Sequence, residues 1–378
     1  MKLPRNAHLW LPGLLRARRN RQRASTEGPI DVLLCMADHF EPGHGAPGLK
    51  VERARVDAWV EQLPRLATRF VDADGRPPRH TFFFPAEEYR REHLDRLASL
   101  CEAGLGEVEV HLHHDDDTAD NLRATLLEFK TRLAVDHGLL SSASDGTVMY
   151  GFIHGNWALD NARPDGKHCG VNNELTVLRE TGCYGDFTQP AAPNDSQTRT
   201  VNSVYYAVDD PLAPRSHDYG VASHVGRTPP PESLLMIQGP IALDWDRRIF
   251  GFVPGLDVAA IDGSPGYGPA LRRFRMWVDA GIGVCGRPEW VFVKIHTHGA
   301  LERNASVLLG TPMVGFHEAI NREFNDGARY RLHYVTAREM VNVVRAAEMG
   351  LNGNAGEYRD YMLPPPPAAS VRRLVSAG

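Results

Sequence analysis

Cysteine is scarce: five residues in 378 (Cys35, Cys101, Cys169, Cys183 and Cys285), widely spaced and without a Cys-x-x-Cys pair. That pattern speaks against a disulfide framework and for reduced structural thiols in a cytosolic protein. Long apolar runs are missing too. The patch from Leu9 to Leu15 is broken by Pro12 and Gly13 and is too short for a membrane span or a signal core. No Gly-rich phosphate loop follows the first predicted strand, which leaves a dinucleotide-binding fold without support. Basic charge is not in excess either. The net charge is -5, whereas nucleic-acid binders carry a basic surface. There is no internal repeat and no long low-complexity linker.

Histidine is what the chain has in quantity, seventeen residues, and they gather at the ends of short hydrophobic runs. Residues 107–112 lead into His113 and His114, with His111 inside the run. Residues 148–153 end in His154. Residues 291–295 end in His296-Thr297-His298, and residues 31–37 end in Asp38-His39-Phe40-Glu41. Strands that close on imidazole and carboxylate at one end build a metal or acid-base site at one face of a sheet or barrel.

Strands are predicted at 30–37, 81–84, 108–112, 148–153, 183–188, 291–295 and 330–335, with strand-like runs at 203–208 and 234–237. Helices are predicted at 51–70, 88–103, 118–137, 173–181, 269–280, 313–324 and 337–349. The helix at 51–70 places Val56, Trp59, Val60, Leu63 and Leu66 on one face. Alternation of strand and helix is the pattern of βαβ units. The expected architecture is an α/β fold, a (β/α) barrel of seven or eight parallel strands over residues 29–350, distorted by an irregular insertion around 189–268.

Residues 1–28 carry seven basic residues before the first acid, Glu27. They read as a flexible basic tail, or as a segment resting on an anionic membrane through its Trp and Leu residues. Residues 351–378, with Pro364 to Pro367, read as a Pro-rich tail outside the fold. A cytoplasmic location, with peripheral membrane association as its variant, is expected.

Side chains following each strand converge in a barrel of this kind. They are Asp38, His39 and Glu41; Glu87 and Glu88; His111, His113, His114 and Asp115; His154, Asn156 and Trp157; Asp186; and His296 with His298. An Asp with two His residues is a common way to hold a catalytic divalent ion with an open position. His111 and His113 share one strand face at a spacing of two. Trp157 offers a stacking wall for a sugar ring, with Asn156 beside it as a hydrogen-bonding group; a core tryptophan is the competing reading. Asp186 either orients a histidine, binds substrate or caps a helix.

With those residues in place, the chain resembles the polysaccharide deacetylase (NodB-homology) group of the glycoside hydrolase/deacetylase barrels. His80-Thr81-Phe82-Phe83-Phe84-Pro85 resembles that family's second strand, Glu107-Val108-Glu109-Val110-His111 its Glu-Ile-x-x-His strand, and Val293-Lys294-Ile295-His296 its closing Leu-x-Leu-His. The family's Asp-Asp pair is here Ala37-Asp38. Either Asp38 is the metal ligand and the base position is empty, or Asp38 is the base and His39 the ligand. Asp115 stands where the second metal His is usual, with His113 and His114 as neighbours, and the Arg-x-Pro-x-Gly segment is absent. The chain is also similar to proteins associated with bacterial exopolysaccharide biosynthesis.

The resemblance implies a metal-dependent hydrolase that removes N-acetyl groups from a polysaccharide or glycan intermediate. Zn²⁺ or a similar ion is expected on Asp38, His111 and His113, with His39 and His114 as further candidates. His296 is expected as general acid, oriented by Asp186 or His298, and Asp38 or His154 as base. Glu41, Asn156, Trp157 and His298 are expected to bind the carbohydrate, with His296 and His298 also open as further ligands and Glu41 as an alternative base. Two alternatives stay open: a glycoside hydrolase using a carboxylate pair, and a catalytically degenerate glycan-binding protein.

Overall fold

The computed structural model describes residues 3–22 and 28–369. Nine strands carry the argument: β1 Ile30–His39, β2 His80–Pro85, β3 Gly106–Leu112, β4 Val148–His154, β5 Cys183–Asp186, β6 Val204–Val208, β7 Ser233–Ile237, β8 Trp290–Thr297 and β9 Tyr330–Val335. The helices are α1 Ala7–Asn20, α2 Leu49–Ala67, α3 Arg91–Glu102, α4 Ala119–Thr131, α5 Glu174–Thr181, α6 Leu271–Asp279, α7 Glu302–Leu308, α8 Thr311–Phe324 and α9 Ala337–Glu348.

The central sheet runs β8-β1-β2-β3-β4-β5-β7-β6, followed by the short strand Val221–Ala222. From β8 to β7 every pairing is parallel. β6 joins antiparallel to β7. β1 is long enough to serve three partners. β8 lines one side from Asp31 to Asp38, while β9 pairs with Ile30 to Cys35 and β2 with Ala37 to His39. Counting β9, eight strands are parallel among the described residues.

The architecture is therefore mixed α/β with a large, mostly parallel sheet. Among the described residues the ladder does not close into a barrel. No ladder joins β7 to β8; around the gap lie isolated bridges from Ala260 to His296 and from His224 to Cys285, and the buried Lys294 Nζ of β8. That ammonium donates to the carbonyls of Phe187 at 2.5 Å and Gln189 at 2.7 Å. The interval 189–268 is not a pure insertion, since β6 and β7 extend the sheet from within it.

Parallel strands covered on both faces read as continuous apolar runs, and β1, β2, β3 and β8 are buried along nearly their whole length. α2 buries Val56, Trp59, Leu63 and Leu66 against them. Thr118 caps α4 by accepting the Asn121 N–H at 3.2 Å, and Thr336 with Glu339 forms a capping box on α9.

Both expected tails are corrected where they are described. Residues 7–20 form α1, whose Trp10 and Leu14 pack on Ala192, Val201, Ile241 and Leu256. Those apolar groups are buried in the fold and are not free to anchor in lipid. At the other end, Arg359 is buried, with ion pairs to Asp72 at 2.7 Å and Asp74 at 2.8 Å. The Ala368 N–H donates to Gly138 at 2.9 Å. The basic residues Lys2 and Arg23 and the stretch 370–378 lie outside the described residues. All five cysteines are free, four of them buried. No helix among the described residues is long and apolar enough to cross a membrane.

Candidate metal centre

The parallel register sets the strand ends level. Ala37 pairs with His296 and Asp38 with Thr297, which brings His39 beside His298; their rings stack at 4.7 Å. Pro85 pairs with His111, and Leu112 with His154. Glu41 sits two residues beyond His39, and its Oε1 is the focus of the site. It lies 3.2 Å from His111 Nε2, 3.7 Å from His113 Nε2 and 3.9 Å from His298 Nε2. His39 forms a second triad with Glu41 and His298, its ring 5.0 Å from that of His111.

The other faces of two imidazoles are already engaged. His111 Nδ1 meets the carbonyl of Ile153 at 2.8 Å, so that nitrogen carries the hydrogen and donates. His113 Nδ1 likewise donates to Glu87 Oε1 at 2.5 Å. Carbonyl and carboxylate partners of this kind fix the tautomer of metal-ligating histidines. With Nδ1 donating, each Nε2 faces the Glu41 carboxylate either as a protonated donor or as a lone pair open to a cation.

Imidazoles gathered on one carboxylate offer a cation its ligands. Donor atoms that share a tetrahedral ion at about 2.0–2.1 Å lie about 3.3 Å apart, and the Glu41 separations of 3.2 to 3.9 Å are close to that. Imidazole with carboxylate suits zinc or a neighbouring divalent metal. Burial alone would raise the Glu41 carboxyl. The hydrogen bond and charge of His111, with His298 and His113, hold it down at about 2. Burial, and then the neighbouring imidazoles of His298, His111 and His296, push His39 well below its usual value and keep it neutral.

No protein-family model matches this chain, and no curated protein is significantly similar to it.

Of the residues expected to hold a metal, His111, His113 and His39 come together. Asp38 does not join them. Its Oδ2 faces His80 Nε2 at 2.8 Å and its Oδ1 accepts the Gly299 N–H at 2.6 Å, so both oxygens are spent on holding β1, β2 and the loop after β8. His114 and His154 form a separate group with Glu174.

His296 is buried, its Nδ1 without a hydrogen-bond partner. Burial, with Lys294 and His298 nearby, lowers its pKa well below the usual range, so it has no proton to give as an imidazolium at neutral pH. Asp186 turns onto Thr188, accepting its hydroxyl at 2.7 Å, and so orients neither His296 nor His298. Thr188 Oγ1 in turn accepts the His154 N–H at 2.9 Å.

Trp157 stands at the mouth, 5.5 Å from the His39 ring and 5.7 Å from that of His298. Asn156 and Trp157 both have φ of 54°, a costly conformation for a bulky residue. Glu88, expected only as a residue at this end, accepts the Gly43 N–H at 2.6 Å. Burial, then the Glu41 and Glu87 charges, push its carboxyl up to about 7.

Glu41 and His298 were read from sequence as carbohydrate contacts, whereas the geometry gives them donor positions. The available signal was spacing. His39-x-Glu41 repeats the i, i+2 pattern of His111-x-His113 and His296-x-His298. Two glycines make the site possible. A Cβ on Gly155 would lie 2.2 Å from His113 Cδ2, and one on Gly170 would lie 1.9 Å from His114 Cε1.

Proposed function

We propose that the chain is a metal-dependent hydrolase acting on carbohydrate, removing N-acetyl groups from a polysaccharide or glycan intermediate. The reading is carried by one observation, the approach of three imidazole Nε2 atoms to Glu41 Oε1 at the C-terminal edge of a parallel sheet. Glu41, His111 and His113 would hold a divalent ion there, which would supply a Lewis acid to polarise an acetamide carbonyl and acidify water. His39 and His298 form a second triad on the same Glu41.

Trp157 gives the sugar an apolar face beside the imidazoles, and its buried indole N–H has no protein partner. Glu88, hydrogen-bonded to the backbone two residues beyond Glu41, is the carboxyl placed to carry protons at this mouth. It fills the role left open by Ala37. The barrel deacetylase resemblance supports the same chemistry, and similarity to proteins associated with exopolysaccharide biosynthesis supports a carbohydrate substrate. The glycosidase alternative has less support, because Asp38 and Asp186 are both committed to internal hydrogen bonds.

The test pairs metal content with acetate release from N-acetylated oligosaccharides. Bound divalent metal and acetate release in the wild type, with one bound ion and all acetate release lost in His111→Gln, support the reading. Reducing ends released in place of acetate would turn it to the glycosidase, and glycan binding without metal or turnover to the binding protein.

A further inference from the structure

We propose that His114, His154 and Glu174 hold a second divalent cation, beside the centre described above and built from different side chains. His114 follows β3, His154 ends β4, and Glu174 opens α5. Glu174 Oε1 lies 3.2 Å from His114 Nε2 and 3.6 Å from His154 Nε2. Both separations fit donors sharing one tetrahedral ion, about 3.3 Å. Glu174 and His154 are fully buried.

A proton on His114 would satisfy that ring and Glu174, but it leaves His154 Nε2 without a partner. His154 Nδ1 donates to the Gly155 carbonyl, so in the neutral ring Nε2 is a lone pair. That Nε2 is buried and has no hydrogen-bond partner. A lone pair facing a carboxylate oxygen is unfavourable unless a cation stands between them. His114 Nδ1 meets Asp117 Oδ2 at 3.0 Å, and its Nε2 meets Glu174 Oε1 at 3.2 Å. Glu174 Oε2 accepts the Asp160 N–H at 2.6 Å, which leaves Oε1 for the ion. Asp72, Asp74 and His333 also cluster, but the Arg359 guanidinium already neutralises those acids.

Titration of metal-stripped wild-type protein with Zn²⁺, read by calorimetry and by plasma mass spectrometry after dialysis, decides the matter. About two ions per chain are expected. His154→Gln and Glu174→Gln should each hold about one, as should His111→Gln, with folding checked by circular dichroism. One ion in the wild type, lost in His111→Gln, overturns the second site and leaves the hydrolase centre standing. One ion kept in His111→Gln but lost in His154→Gln supports this site and overturns the other. The wild-type stoichiometry decides even if a variant fails to fold.

A separate observation carries a second inference. The hairpin formed by Ala242–Ile249 and Val253–Asp257 exposes Trp245 (54%), Phe250 (85%) and Phe252 (71%). Trp245 shares a cleft with Arg18, Arg19, Arg21 and Arg272, which outnumber the Asp246 and Asp279 lining it, and Arg248 is exposed on the same hairpin. Aromatic tips flanked by arginine suit the interface of an anionic bilayer. We infer that this hairpin and the basic end of α1 dock on such a surface. Sedimentation with vesicles of equal parts phosphatidylcholine and phosphatidylserine should recover the wild type, and Phe250→Ser/Phe252→Ser should stay in solution. Equal recovery of both proteins, or of neither, overturns the inference.

Discussion

Replacing Glu41 with Gln keeps the shape of the side chain and removes the one anion among the donors of the first centre. An ion at about 1,000 times its dissociation constant stabilises the folded chain by about 4 kcal/mol. With about 2.1 cal/mol/K per residue, 378 residues give an unfolding entropy near 0.8 kcal/mol/K, so each filled centre raises Tm by about 5 °C. Loss of a partner one shell further out costs about 10- to 100-fold in metal affinity, and loss of the carboxylate itself should cost at least the larger figure. At the same zinc concentration Glu41→Gln should then gain only about 2 °C or less. The assay is differential scanning fluorimetry with and without zinc, in a Glu174→Gln background so that the neighbouring cluster does not contribute. An undiminished zinc shift in the double variant would refute the placement of the ion on Glu41.

Three further outcomes follow from other parts of the molecule. Asp38→Asn should destabilise by about 1–3 kcal/mol in urea titration, because it weakens the His80 and Gly299 hydrogen bonds; metal content should stay at the wild-type level, and its loss would return Asp38 to the ligand set. Trp10→Ala should cost about 3 kcal/mol in the same assay by opening a cavity under α1, whereas a free tail would tolerate it unchanged. Burial raises the Glu109 carboxyl from 4.5 to about 8, so the folded state holds its proton more tightly than the unfolded chain. That contribution is complete below pH 4.5 and fades as pH rises toward 8, by up to about 1.4 kcal/mol per pH unit; a pH series of unfolding curves should be flatter for Glu109→Gln.

The strands were legible because buried parallel strands read as apolar runs, and β9, Tyr330–Val335, matches the expected 330–335 at both ends. That several strands end in histidine was equally plain. Sequence could not tell which end-group side chains would meet. Asp38 lies inside β1, where its orientation is set by alternation, and only the fold brings His80 and Gly299 to it. Glu41 follows the strand, and its imidazole partners come from β3 and the loop beyond β8. Glu174 was invisible for a related reason: it comes from a helix sixty residues after His114 and no local spacing marks it. The apolar stripe of α1 was visible, but its partners, from Ala192 to Leu256, are remote in sequence, so a docked helix and a free tail looked alike.

Gly155 and Gly170 make the two clusters depend on residues that ligate nothing. Neither has a positive φ, so glycine is required there by the closeness of His113 and His114 to the backbone, and a methyl group at either position would displace an imidazole. A search for distant relatives that scores only the histidines and acids would therefore accept chains unable to bind as this one does. Alanine at the two glycine positions is the cheapest sign that a relative has kept the ligands and lost the room for them.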